Sequence, residues 1–173
     1  MISIKHEKFS EAHFKALKSW FRDERALVQW GGPGLHHPLD DDQLASMLAE
    51  TSGTKPARWA RSAIVSGVCA GHTQMSLDWA NGIGRLARVG VSPEHRRQGI
   101  GRSMLQEVIK SAFRDGDIER LELNVFSWNT AAISTYKHLG FIAEGTRRSS
   151  VRVGIERWDT DIMGLLRSEW VAI

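Results

Sequence analysis

The residues best suited to chemistry in this chain are Arg96-Arg97-Gln98-Gly99-Ile100-Gly101-Arg102, a basic, glycine-bearing turn that follows the apolar stretch ending in Val89-Gly90-Val91. Downstream of the turn, Met104, Leu105, Val108, Ile109, Ala112 and Phe113 recur at helical spacing, forming one apolar stripe and starting a helix near Gly99. The first turn of a helix presents backbone N–H groups without intrahelical partners, together with the positive end of the macrodipole, so it favours an anion. Gly99 and Gly101 let a phosphate come close to that backbone. Arg96, Arg97 and Arg102 add planar donor forks that match phosphate oxygens. The chemistry expected of this junction is the binding of a pyrophosphate.

Two common phosphate loops fail on the same residues. A Walker A loop needs Gly-Lys-Ser/Thr, and Gly101-Arg102-Ser103 lacks the lysine. A dinucleotide fingerprint needs a third glycine for close helix packing, where this chain has Met104.

A second segment, Arg120-Leu-Glu-Leu-Asn-Val-Phe-Ser-Trp-Asn129 followed by Thr-Ala-Ala-Ile-Ser-Thr-Tyr136-Lys-His-Leu-Gly140-Phe141, reads as a strand, an asparagine, a short helix bearing a tyrosine, and Gly-Phe. Together the two segments resemble the GNAT superfamily of N-acetyltransferases. Arg96 to Gly101 matches that family's Arg/Gln-x-x-Gly-x-Gly/Ala coenzyme loop, and the second segment follows at the family's spacing. The resemblance is specific over about Leu86 to Phe141, looser towards the C-terminus and poor over the first half.

The resemblance implies an α/β fold with a mixed, mainly antiparallel central sheet and helices on both faces. It implies acetyl-CoA as cosubstrate, with acetyl transfer directly to a primary amine (a small molecule or a protein N-terminus) in a ternary complex. The cofactor-binding residues it implies are Val89, Gly90, Val91, Arg96, Arg97, Gln98, Gly99, Ile100, Gly101, Arg102 and Asn129. Val89 to Val91 would lie where the strand splays from its neighbour and frees backbone N–H groups. Asn129 would hold the pantetheine or phosphate arm, and Tyr136, the chain's single tyrosine, would be the catalytic acid at the sulfur. Members that acetylate protein N-termini commonly carry a glutamate where this chain has Asn124. Asparagine cannot accept a proton at neutral pH, so the base is unassigned. Glu122 and Asp78 are the nearest carboxylate candidates, each also readable as an ordinary paired or surface acid. The alternative function is a regulatory module that binds acetyl-CoA without catalysis.

The elements that must position these residues follow from patterning. Ile2, Ile4 and His6 suggest a first strand, and Ser10 is placed to cap a helix carrying Phe14, Leu17, Trp20 and Phe21. Asp23 to Trp30 reads as a short helix stopped by Gly31-Gly-Pro-Gly34, and Pro38 to Leu48 as a capped helix with Asp40 to Asp42 at its positive end. In the family this region forms a wall of the acceptor groove, which makes Trp30, Gly31 to Gly34, His36 and His37 candidate contacts, each also readable as packing or loop. Strands are expected from Trp59 to Ile64 and Val68 to Leu77 around a Ser66-Gly67 turn, then from Leu86 to Val91 after Asn81-Gly82. Phe141 to Val153 and Trp158 to Leu166 read as a closing hairpin bent at Gly154. Exchange of that hairpin between subunits would give a homodimer.

The 173 residues suit a single domain, expected over 1–173. One cysteine, Cys69, permits no intramolecular disulfide and reads as buried packing. No run approaches the roughly 18 apolar residues of a membrane span, so the expectation is a cytoplasmic protein without membrane contact. A formal charge of +3, with arginine pairs scattered and no interleaved aromatics, argues against nucleic acid as a partner. No histidine, cysteine or carboxylate spacing suggests a metal.

Overall fold

In the computed structural model, which describes residues 3–114 and 116–171, seven strands form one sheet in the order β1-β2-β3-β4-β5-β7-β6. The strands are β1 (Lys5–Lys8), β2 (Arg58–Val65), β3 (Val68–Asp78), β4 (Ile83–Val91), β5 (Arg120–Phe126), β6 (Ile142–Val153) and β7 (Glu156–Leu166). The helices are α1 (Glu11–Lys18), α2 (Glu24–Gly31), α3 (Asp41–Ala49), α4 (Ile100–Arg114) and α5 (Thr130–His138). Every strand pairing is antiparallel except β4 with β5. That one parallel pairing requires a crossover, and α4 provides it. The expected mainly antiparallel α/β sheet with helices on both faces is the architecture found.

Alternation along β2 shows how the faces divide. Ala60 and Ile64 pack with Phe14, Leu17, Leu27, Trp30 and Met47 beneath α1, α2 and α3. Ala63 and Val65 pack on the other face with Ile100 and Met104 of α4. The predicted apolar stripe of α4 is buried throughout, and from Leu105 to Phe113 it forms the main core with Leu86, Leu121, Leu123, Met163 and Leu165. Cys69 is buried, as its flanking residues suggest.

Local signals place the element ends. Asp23 and Asp40 cap α2 and α3 by accepting from the Ala26 and Gln43 N–H groups at 2.8 Å and 2.9 Å. The Ser66-Gly67 turn has both residues at positive φ, 48° and 79°, the geometry that reverses a tight hairpin. Three expectations shift. Ser10 sits at the α1 N-cap but its side chain makes no cap hydrogen bond, and it is linked instead to His13 Nδ1 at 3.4 Å. Helix α1 stops at Lys18, so Trp20 and Phe21 follow it. Strand β4 begins at Ile83 rather than Leu86, because β3 and β5 both pair with its first residues. Of the first predicted strand, Ile2 lies outside the described residues and Ile4 precedes β1.

Candidate active site

The glycine turn expected to bind phosphate is built as its residue types require. A short 3-10 turn, Pro93–His95, leads from β4 to Arg96, and α4 begins at Ile100. Gly99 has φ +80°, a left-handed conformation that glycine takes without cost, and a side chain there would meet nothing within 4 Å. The backbone therefore faces open space. A Cβ at Gly101 would come within 3.4 Å of Val91 Cγ2. Arg96, Arg97 and Arg102 are exposed, and none pairs with a carboxylate among the described residues. Ile100 points the other way: its side chain is in the core, leaving only its backbone for the turn. Gln98 donates to the Glu94 carbonyl at 3.3 Å.

Strands β4 and β5 pair only from Ile83 to Leu86 and Arg120 to Leu123. Beyond that the β5-facing edge of Ala87 to Val91 has no strand partner, and β5 continues on β7 alone. Two distortions on β4 accompany the parting, a register shift against His72 to Gln74 and a positive φ of 50° at Arg88. Trp30 fixes this distortion from α2. Its Nε1 donates to the Arg88 carbonyl at 2.7 Å, and its ring fills the space a Cβ at Gly90 would need, 2.8 Å from Trp30 Cδ1.

The parted strands open a cleft of ≈330 Å³ that passes from one face of the sheet to the other. On the helix face it is lined by Tyr136, Ala132 and Asn129, beside Leu86 and Val89. Tyr136 is buried, and burial pushes its phenol up to about 12. Asn129 caps α5 by accepting from the Ala132 N–H at 3.3 Å, and its amide nitrogen has no partner among the described residues. On the opposite face lie Arg85 and Asn124, with Trp30, Gly31, Gly32 and Pro33 on one wall and Arg147, Ser150, Val151 and Thr160 on the other. Aromatic packing ties these walls together: Phe126 and Trp158 meet edge to face at 4.7 Å, and Arg25 of α2 lies 4.7 Å over the Trp158 ring while pairing with Glu156 at 2.7 Å.

These features coincide with a known family. The acetyltransferase (GNAT) family model matches residues 14–141. The chain belongs to the GNAT family. A ribosomal protein bS18-alanine N-acetyltransferase of Escherichia coli is 37% identical over 93 residues, a span covering 54% of this chain and 60% of that relative's length. An L-amino acid N-acetyltransferase of Escherichia coli is 29% identical over 112 residues, covering 64% of this chain and 66% of that protein. Among solved structures, a spermidine N-acetyltransferase from Vibrio cholerae in complex with CoA and spermine superposes with TM-score 0.81 at 15% identity, covering 96% of each chain. A ribosomal-protein-alanine N-acetyltransferase from Brucella melitensis superposes with TM-score 0.78 at 20% identity, covering 94% of this chain and 99% of the other. At these identities the superpositions establish a GNAT fold.

Within this GNAT fold the sequence-derived residues fall into two groups. Val89, Asn129 and Tyr136 meet at the cleft, as do Trp30, Gly31 and Gly32. Gly90, Val91 and Arg96 to Arg102 lie further along β4 and in the turn leading into α4. His36 and His37 are not among the cleft-lining residues. The His37 N–H donates to Glu24 at 2.7 Å and His36 contacts Gln43, so both anchor the loop to neighbouring helices. Glu122 is held by Arg85 at 2.8 Å and by Arg120 at 3.2 Å, and Asp78 accepts from Asn81 at 2.7 Å in the turn before β4. Both carboxylates thus have structural partners. Missed from sequence were Arg85, Arg88, Arg147, Ser150 and Thr160. Arg147 was visible only as half of an arginine pair, and nothing local announces that β6 and β7 wall the cleft.

Proposed function

We propose that the chain is an acetyl-CoA-dependent N-acetyltransferase that acts on a primary amine through a ternary complex. The observation that carries this reading is the parting of β4 from β5, with an anion-binding turn beyond the end of β4 and a buried tyrosine beside the gap. The residues present fit the cosubstrate: an unobstructed glycine turn at a helix start, three arginines without carboxylate partners among the described residues, and a strand edge with unused hydrogen-bonding groups. When bound, acetyl-CoA supplies an acetyl thioester, activated toward attack by an amine.

Arg96, Arg97, Arg102 and the backbone around Gly99 to Gly101 hold the pyrophosphate. The free edge of Ala87 to Val91 orients the thioester arm and offers N–H groups to the carbonyl oxygen, a fixed donor set that needs no reorganisation. Asn129 contributes its amide N–H2 to the same arm. Tyr136 Oη keeps its proton throughout the physiological range, since burial raises its pKa, and gives that proton to the departing sulfur. The acceptor nitrogen loses a proton in the same turnover. With Asn124 on this face and Glu122 engaged by two arginines, that proton leaves through water in the open cleft.

The test is calorimetric titration with acetyl-CoA of the wild type and of a Gly99→Glu, Gly101→Glu double variant. Tight binding by the wild type, lost in a variant that retains its far-UV circular dichroism, is the expected result. A wild type that does not bind acetyl-CoA overturns the proposal.

A further inference from the structure

The cleft contains an unusual inventory of charge. Its lining includes three arginines, Arg85, Arg88 and Arg147, and no aspartate or glutamate. Carboxylates on the strands that wall it are already engaged. Glu122 lies between Arg85 and Arg120, Asp161 accepts from Ser127 at 2.6 Å and Thr146 at 2.7 Å, and Asp159 accepts from the Ser149 N–H at 2.7 Å. The arginines are not matched in the same way. Only Arg85 is paired to a carboxylate; Arg88 and Arg147 have no ion-pair partner among the described residues. Arg88 is half-buried, and its guanidinium donates to the neutral Gln74 amide oxygen at 2.9 Å. Removing a guanidinium from water without an anion is unfavourable, so a site of this kind gains when an anion arrives.

We infer that the acceptor is a small amine bearing a carboxylate close to its amino group, an α-amino acid or a near relative, with Arg147 as the residue that selects it. This rests on the acetyltransferase reading above and narrows it. Of the two arginines without a carboxylate partner, Arg147 is the exposed one, standing on β6 opposite Thr160, with Ser150 and Thr160 hydroxyls 2.7 Å apart beside it. A guanidinium fork flanked by hydroxyls is the donor set that a carboxylate takes in a bidentate manner. The opposite choice, a polycationic acceptor, would bring like charge to a cleft without a carboxylate in its lining. The volume of ≈330 Å³ suits a small acceptor beside the end of a thioester arm.

The experiment follows thiol release from acetyl-CoA with matched acceptors: a panel of α-amino acids, the corresponding amino acid amides, spermidine, and amidated peptides beginning with alanine or glutamate. The amides are the sharper control, because losing the carboxylate lowers the amine pKa and leaves more of the reactive neutral form at pH 7.5. Any preference for the acid therefore runs against intrinsic reactivity. The expected result is at least a tenfold higher kcat/KM for the preferred acid than for its amide. Arg147→Glu should remove that preference and Arg147→Lys restore part of it, with melting temperature and acetyl-CoA affinity unchanged in both. Equal or faster turnover of the amide, of spermidine or of either peptide overturns the inference while leaving acetyl transfer intact. So does failure of a protein that binds acetyl-CoA to use any acid in the panel. Failure to bind acetyl-CoA is the separate result that removes the acetyltransferase reading itself.

Discussion

The two ends of the cleft are assembled from different ranges of the chain. The α5 end, with the glycine turn that lies beyond it past the end of β4, comes from two continuous segments, Asn129 to Tyr136 and Arg96 to Gly101, each shaped by local backbone geometry. The opposite end is assembled from α2 and the loop after it, the middle of β4, the last residues of β5, and the facing stretches of β6 and β7. A helix N-terminus is an anion site wherever it occurs, so the first end needs little from the rest of the fold. The second exists only after the sheet and the α2 contact have formed.

Perturbing each end separately sharpens this contrast. Tyr136→Phe should lower kcat by roughly 100-fold or more, the usual weight of a general acid, with acetyl-CoA affinity and melting temperature nearly unchanged. A wild-type pH-rate profile in the variant would show that the phenol carries no proton in the reaction. Trp30→Phe acts at the other end by deleting the donor to the Arg88 carbonyl. One such hydrogen bond contributes about 1 kcal/mol, so kcat/KM for the acceptor should fall about fivefold while the Kd for acetyl-CoA moves less than twofold, measured by calorimetry. Equal losses for both substrates would mean that the two ends are not separable.

The α2 face also carries one source of acid sensitivity in the fold. His72 is fully buried between Phe9 and Trp30, and burial, reinforced by the nearby Arg88 charge, holds it at about 3. An unfolded histidine titrates near 6.5, so the unfolded chain takes up this proton first as pH falls. Stability associated with neutral His72 is complete above about 6.5 and is lost progressively down to about 3. Thermal melts of wild type and His72→Gln should therefore differ in slope between pH 6.5 and 4, with the variant the flatter. Parallel slopes would show that His72 contributes nothing to the acid sensitivity of the fold. The smallest effect on turnover is expected from Glu122→Gln, which keeps an acceptor oxygen for one of the two arginines and removes the carboxylate: a change of less than about threefold in kcat. A loss comparable to that of a general base, about 100-fold, would return Glu122 to the chemistry.

This division also sets what could be read from the sequence. The α4 stripe, the Ser66-Gly67 turn and the final hairpin were legible because each depends on neighbours within one element or turn, and the fold class because two such segments together resemble a known family. The glycine turn before α4 and the helix that carries Tyr136 were legible in the same way, while the roles given to them rest on the family resemblance. Arg88 was not, since its left-handed φ arises from a register shift against β3 that no residue type signals. Nor was Arg147, whose relevance depends on β7 inserting between β5 and β6 in the sheet order. His36 and His37 invited a functional reading as loop residues near a site, but their contacts to Glu24, Gln43 and Phe21 belong to the folding of that loop.

Strand β6 is the outer edge of the sheet, twelve residues long, with almost every residue exposed. A bare edge of that length is a template on which other chains can add strands, and natural sheets guard such edges with charge and bulges. Here Arg147, Arg148 and Arg152 supply the charge, and the register breaks at Ala143 to Gly145 and Arg147 to Val151 supply the irregularity. Arg147 therefore holds a guarding position on this edge besides the recognition role proposed for it. Refitting the cleft for another acceptor by an apolar replacement at that position would weaken the guard as it changed the recognition.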